Sequence, residues 1–136
     1  MLSKAYLGVL VSAVTLLASA PMNAASYYCT LKETGKRTGW IAIDMYIQVS
    51  PDKQEIVVED GVMQSFGKDS VNAKVGTASA SGLSFRWSVD TNVSSTQRAR
   101  IEYRANFSEE TLKIRVQGKP TGYSNEFEGR GTCKQT

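Results

Sequence analysis

The chain has 136 residues, of which 41% are hydrophobic and 21% are charged, a composition typical of one globular domain that excludes a disordered or collagen-like chain. Its formal net charge is only +3, which gives no reason to expect a nucleic-acid-binding domain. The sequence contains no histidine. This excludes Ser-His-Asp and Cys-His catalysis, and also every metal or haem site that needs an imidazole ligand.

Residues 1–25 have the pattern of a secretory signal peptide. Lys4 precedes a mostly apolar run over residues 5–20, and the small residues Ala24 and Ala25 follow. The alternative is an uncleaved membrane anchor, but the apolar run is shorter than the roughly 20 residues that a hydrocarbon core requires. We therefore expect cleavage after Ala24 or Ala25, no stable membrane span afterwards, and a periplasmic or secreted bacterial protein.

Alternation of apolar and polar residues runs through residues 26–136 and indicates a single all-β domain. A first strand is predicted at residues 27–32. The next alternation is the clearest in the chain, and its predicted inward positions are Ile41, Ile43, Met45, Ile47 and Val49. A proline-containing turn at residues 50–53 leads to a strand at residues 55–59. This hairpin is expected to place Val49 opposite Ile56.

The second half of the chain continues the alternation after an irregular stretch. Residues 62–74 show no clear period, and a short strand is expected near residues 74–78. Further strands are predicted, in order, at residues 83–89, 99–107, 112–117 and 123–133. A polar loop is expected over residues 90–97, and a tight turn at Glu109 and Glu110. About eight strands without a helix predict an antiparallel barrel or sandwich.

Two cysteines, Cys29 and Cys133, lie near the two ends of the predicted mature chain. Export to an oxidising compartment makes a disulfide between them the expected state, whereas a redox-active pair would normally show a Cys-x-x-Cys spacing. The bond would close a loop of 104 residues, for which the chain-entropy model gives roughly 4.7 kcal/mol of stabilisation. It also requires the first and last strands to lie side by side.

The predicted inward positions include few small residues, which bears on whether the interior is filled. An eight-stranded barrel is either just filled by side chains or holds one small ligand. The bulky inward residues are Phe85, Trp87, Tyr103, Phe107 and Phe127. They favour a filled core. The alternative is a lipocalin-like carrier whose apolar pocket is lined by Trp87, Tyr103 and Phe107.

Basic residues recur at the predicted outward positions of the second half. A tight turn at Glu109 would place Arg104 opposite Arg115, and like charges across a strand pair are unfavourable. The predicted anion-binding face consists of Arg86, Arg98, Arg100, Arg104, Lys113 and Arg115. We expect it to contact lipid headgroups, lipopolysaccharide, a polyanionic glycan or an acidic protein. The alternative is a face that keeps the sheet soluble and discourages edge pairing.

Other chemistry-bearing patterns are weak. Paired carboxylates at residues 59–60 and 109–110 fall at predicted turns, and neither catalysis nor a metal site is expected there. Gly129 and Gly131 flank an arginine on the last predicted strand, where they indicate close backbone approach near the disulfide rather than a phosphate-binding loop. The sequence therefore predicts no enzyme, no cofactor and no metal.

Four short segments carry a resemblance to known proteins. Tyr28-Cys29 near the mature start and Gly131-Thr132-Cys133 near the end resemble the layout of small periplasmic β-barrel proteins of alphaproteobacteria, a grouping that implies no activity. Ala80-Ser81-Gly82, followed by Phe85-Arg86-Trp87, resembles the Ser-Gly segment before a tryptophan in the C-type periplasmic lysozyme inhibitors, although Ser88-Val89 stands where that family has Lys-Gly. The resemblance implies a compact barrel with a terminal disulfide, and Ser81 as the inhibitor contact.

Together these features predict a non-enzymatic, exported binding or interaction module. Its partner is expected to be either an enzyme that it inhibits or an anionic surface of the cell envelope. The alternative function is that of a carrier for a small apolar ligand.

Overall fold

The computed structural model of the chain describes residues 24–79, 81–94 and 97–136, without the side chains of residues 92–98. The predicted signal peptide lies outside the described residues, apart from its last two. Eight strands and one short helix follow one another within the described ranges. They are β1 (Ala25–Glu33), β2 (Asp44–Val49), β3 (Ile56–Asp60), α1 (Gly61–Ser65), β4 (Val71–Ser79), β5 (Gly82–Ser94), β6 (Gln97–Phe107), β7 (Lys113–Pro120) and β8 (Phe127–Gln135).

The strands form a closed barrel in which each strand pairs antiparallel with the next, and β8 pairs with β1. The predicted all-β, eight-stranded antiparallel fold is confirmed, and the barrel is the architecture observed. The seam between β1 and β8 runs from Tyr27, opposite Gln135, to Glu33, opposite Gly129. Because the strands follow chain order around the barrel, β1 and β2 lie across it from β5 and β6.

The predicted disulfide lies on this seam. Cys29 and Cys133 are directly opposite residues of β1 and β8, and their Cα atoms are 3.9 Å apart. The backbones also approach closely at Gly131, where a Cβ would stand 1.9 Å from the carbonyl oxygen of Thr30. Gly129 likewise lies against a core side chain. The predicted close backbone approach is therefore confirmed at Gly131, whereas the close neighbour of Gly129 is the side chain of Ile41.

Inward side chains fill the barrel, as predicted. The largest fully buried ones include Phe85, Phe107, Met45, Ile47, Ile56, Met63, Leu83 and Ile101. Trp87 stacks on the ring of Phe85, with centroids 5.8 Å apart, and on that of Tyr103, with centroids 5.4 Å apart. Complete burial of one such apolar side chain contributes about 1.5–3 kcal/mol, so this interior is the main source of stability.

The hairpin between β2 and β3 has the predicted register, with Val49 opposite Ile56. Residues 34–43, however, form a loop, and the prediction that Ile43 points inward is wrong. Ile43 is 54% exposed, although Ile41 is buried. The loop contains two glycines with φ values of 78° and 84°, conformations that favour glycine and interrupt strand pairing.

The expectation of a polar loop over residues 90–97 is also wrong for the described part of this stretch, because β5 and β6 pair as far as Ser94 and Gln97; residues 95 and 96 lie outside the described residues. Asp90 lies opposite Arg100, and Thr91 lies opposite Ala99. Thr91 is buried, and its hydroxyl donates a hydrogen bond of 2.8 Å to the carbonyl of Ala99. A half-solvated strand carries polar residues on its outer face, so polarity alone did not distinguish strand from loop here.

The turn between β6 and β7 is longer than predicted. Leu112 has a φ of 60° within the connection over residues 108–112, so it is a turn residue and not an inward strand residue. Phe107 consequently pairs with Ile114 rather than with Leu112. Each residue of β6 has a partner two positions further along than expected, while the inward and outward faces remain as predicted.

The irregular stretch contains α1 and the first half of β4, and the strand expected near residues 74–78 is present within β4. Asp60 is the N-cap of α1, and its Oδ1 accepts a hydrogen bond of 2.8 Å from the backbone N–H of Met63. Asp60 is only 4% exposed. Burial raises the pKa of its carboxyl, and the backbone N–H groups of Met63 and Val62 offset part of that rise.

Replacing Gly131 by alanine should destabilise the barrel by about 2–3 kcal/mol, because the new Cβ would overlap the β1 backbone. Gly82→Ala is the matched control, since Gly82 is also a strand glycine and a Cβ there meets nothing within 4 Å. Urea unfolding of both variants provides the measurement. Equal midpoints for the two variants would contradict the close approach at the seam.

Asp60→Asn should retain the cap and be at least as stable as the parent chain at neutral pH. The folded-state pKa of Asp60 is raised, so its ionised form costs stability once the pH rises above the unfolded value. The advantage of Asp60→Asn should therefore shrink as the pH falls through the folded pKa. Asp60→Ala, which removes the cap, should lose about 1 kcal/mol. Unfolding curves at several pH values measure both effects, and an advantage for asparagine that grows toward acid pH would contradict this account.

Candidate anion-binding site

Three cations lie side by side on the outer wall of the barrel. Lys74 of β4 lies opposite Arg86 of β5, and Arg86 lies opposite Arg104 of β6. All three side chains are exposed. We call these three residues the basic row. Neighbouring strands are about 4.8 Å apart, so the row places three positive charges in line across three strands.

The outward direction of the basic row follows from the core. Phe85 and Trp87 flank Arg86 in sequence, and Tyr103 and Ala105 flank Arg104. All four neighbours are buried. Since successive strand residues point to opposite faces, burial of these neighbours places both guanidinium groups on the outer wall.

The basic row has no acidic partner among the described residues. The ion pairs found there join Lys53 to Glu109, Arg100 to Asp90, Arg115 to Glu128 and Arg130 to Glu128. Like charges that face each other directly across strands are destabilising. The fold therefore holds together three cations that form no ion pair in the described structure, at a cost in stability.

A cavity of about 690 Å³ lies against the basic row on the outer wall. The residues lining its other side belong to the neighbouring outward row and include Asn72, Ser88, Glu102 and Lys119. Gln117 of β7 lies opposite Arg104 and adds an uncharged amide next to the basic row. Glu102 and Glu126 also line the cavity, so it combines four cations with two carboxylates and several uncharged hydrogen-bonding groups, an excess of positive charge suited to oxyanions.

The structure brings together only part of the predicted basic face. Arg86 and Arg104 face each other, whereas the predicted opposition of Arg104 and Arg115 is wrong, because the longer turn pairs Arg115 with Asn106. Arg115 forms an ion pair with Glu128 and, together with Arg130, holds the pKa of that carboxyl below its usual value.

The other predicted basic residues lie apart from the row. Arg100 binds Asp90 at 3.0 Å, and that hydrogen bond raises the pKa of its guanidinium. Lys113 is exposed at the start of β7, opposite Thr132. Arg98 pairs in the backbone with β5, but its side chain lies outside the described part of the chain.

Sequence reasoning missed Lys74, because the register of β4 could not be read from an irregular stretch. Lys74 joins the row through its pairing with Arg86. The one available signal was the strand expected near residues 74–78, whose outward face would have included this lysine.

The remaining predicted site residues have separate places. Ser81 lies exposed in the turn between β4 and β5, its hydroxyl 3.3 Å from that of Ser79, and its role as an inhibitor contact stays a prediction. Trp87, Tyr103 and Phe107 are at most 5% exposed. Their rings occupy the core that a carrier would need to leave open, so no observation favours the carrier hypothesis.

The hydroxyl of Tyr103 donates a hydrogen bond of 2.7 Å to the carbonyl of Trp40, a residue of the loop that follows β1. Burial, together with the nearby carboxylates of Asp60 and Glu33, raises the pKa of Tyr103 far above its ordinary value. This phenol therefore stays protonated and attaches the loop to the barrel.

A larger cavity, of about 770 Å³, lies at one end of the barrel between the loop over residues 34–43 and α1. Lys32 and Arg37 line it together with Glu33 and Asp44. These charges balance, so this cavity lacks the excess of positive charge found in the cavity at the basic row.

No family model, curated protein or solved structure matches the chain. Among the helices of the described ranges, none has the length and apolar character needed to cross a membrane. The same part of the chain holds no group of three or more Cys, Asp or Glu residues arranged to bind a metal ion.

Replacing Arg104 by glutamine should raise stability by about 0.2–1 kcal/mol, because it removes a directly opposed like charge. The gain should shrink as salt is added, since salt screens exposed charges. Arg100→Gln is the control, because Arg100 has an acidic partner and its loss should give no gain. Urea unfolding at low and high salt measures both variants. A stability loss for Arg104→Gln at low salt would show that the basic row is not repulsive.

Proposed function

We propose that this chain is an exported, non-enzymatic binding module that holds phosphate or carboxylate groups of a macromolecular partner against the basic row. The observation that carries the proposal is the direct opposition of Lys74, Arg86 and Arg104 without an acidic partner in the described structure. An anionic ligand would relieve their mutual repulsion. Each arginine also offers a planar fork that binds carboxylate or phosphate in a bidentate manner.

The position of the basic row favours a macromolecule over a small substrate. The row lies on the outer wall and all its members are exposed. Small-molecule sites generally enclose most of the ligand surface. A line of exposed charges instead matches regularly spaced anionic groups on a polymer or on a lipid surface, as at the envelope of a bacterial cell.

Export is supported by the pattern of residues 1–25 and by the disulfide across the seam. Disulfides persist in oxidising compartments, of which the periplasm and the extracellular space are examples. β1 begins at Ala25, so cleavage after Ala24 would leave every strand of the barrel complete.

The double variant Arg86→Glu/Arg104→Glu should weaken binding to an anionic partner by at least about tenfold, because it reverses two charges of the row. The matched control is Lys36→Glu/Lys68→Glu, which changes net charge equally at exposed sites away from the row. Binding is measured with phosphatidylglycerol vesicles in one arm and with heparin, a sulfated glycan, in the other. The two arms distinguish a lipid surface from a polyanionic glycan.

Circular dichroism establishes that both double variants are folded. Equal losses in the two variants would show that binding depends on net charge alone and would contradict a site at the basic row. Absence of binding to both probes at low salt would contradict the proposed function.

A further inference from the structure

A pair of tyrosines stands on the outer wall across the barrel from the basic row. Tyr28 of β1 and Tyr46 of β2 are directly opposite residues, and their ring centroids are 4.9 Å apart. Tyr46 is 51% exposed, which makes it one of the few large apolar surfaces that the barrel presents to solvent. The wall of β1 and β2 therefore offers an aromatic platform at a position that does not overlap the basic row.

Tyr28 is held in place by its neighbours. Its hydroxyl donates a hydrogen bond of 2.9 Å to Oδ1 of Asp44, and Nζ of Lys134 lies 5.5 Å from the centroid of its ring. These contacts order one ring of the pair before any ligand arrives. An ordered ring loses little conformational entropy on binding.

A shallow cavity of about 190 Å³ adjoins the other ring. Its lining includes Tyr46, Gln48, Val57, Glu59 and the C-terminal Thr136. This volume is below the roughly 300 Å³ at which pockets for drug-sized ligands begin, so it fits a single small ring.

The cavity carries unused hydrogen-bonding groups. Among the hydrogen bonds of the described residues, none involves the side-chain amide of Gln48 or the carboxylate of Glu59, and both residues are exposed. Together they offer two donors and several acceptors next to an aromatic ring. Hydroxyl groups on a ring with apolar C–H faces would match both features.

We propose that this wall binds a neutral saccharide, with one pyranose ring against Tyr46 and its hydroxyls bonded to Gln48 and Glu59. The charges of the wall argue for a neutral occupant. Asp44 and Glu59 are acidic, and Lys134, opposite Tyr28 on β8, already lies against the Tyr28 ring. A phosphorylated or uronic sugar would meet repulsion here, in contrast to the basic row.

The experiment uses the disulfide-bonded protein and three probes: maltohexaose, cellohexaose and N-acetylchitohexaose. Saturation-transfer NMR detects binding, and amide chemical shifts locate it. At least one probe should shift the resonances of residues 46, 48 and 59. Tyr46→Ala should then weaken binding by about tenfold or more, as for a buried aromatic contact.

Two variants separate ring stacking from fold effects. Tyr123→Ala is the matched control, because Tyr123 is 63% exposed and lies outside this wall, so its loss should leave saccharide binding unchanged. Tyr46→Phe keeps the ring and should retain most of the affinity. If Tyr46 only stabilised the pairing of β1 with β2, Tyr46→Ala would fold less stably but would show no loss of binding.

Several results would overturn the proposal. They are no binding of any of the three probes at millimolar concentration, shifts confined to other walls of the barrel, and equal losses in Tyr46→Ala and Tyr123→Ala. Preferential binding of a lysine-rich peptide to this wall would also overturn it, since the acidic groups would then be selecting a cation. Arg86→Glu/Arg104→Glu should leave saccharide binding intact, which keeps this test independent of the basic row.

Discussion

Closure of β1 against β8 is the constraint on which the rest of the structure depends. Cys29 and Cys133 join these strands covalently, and Gly131 lets their backbones approach where a side chain would collide. A closed sheet has no free edge, so every strand has two neighbours. Closure also determines which strands lie across from one another, and hence where each surface stands relative to the others.

A closed and filled barrel presents its exterior, and not its interior, to any partner. Trp87, Tyr103 and Phe107 occupy the interior with little exposed surface, so the chemistry available to a partner lies on the walls and at the ends. Two walls differ in character. The wall of β4 to β6 carries the basic row, and the wall of β1 and β2 carries Tyr28 and Tyr46 beside two carboxylates. Because these walls face away from each other, the two proposed sites do not overlap.

The sequence predicted which residues point inward better than it predicted which residues meet. The alternation at Phe85 and Trp87 correctly predicted that Arg86 points outward. The turn after Val49 is short, and the register predicted for the β2–β3 hairpin is correct. Arg104 was expected opposite Arg115 and lies opposite Gln117 instead. A turn longer by two residues changes every cross-strand partner but leaves each side chain on its original face.

The sequence by itself predicted that the chain is all-β, which residues of most strands point inward, and that its two cysteines form a disulfide. These properties depend on the alternation of apolar and polar side chains and on the burial of the apolar ones, which the sequence of a single strand already shows. Only the tertiary structure decided that Lys74 joins Arg86 and Arg104, and that Tyr28 stands beside Tyr46. Those juxtapositions depend on turn lengths and on barrel closure, which are properties of paired strands and are not encoded in the alternation of any single strand.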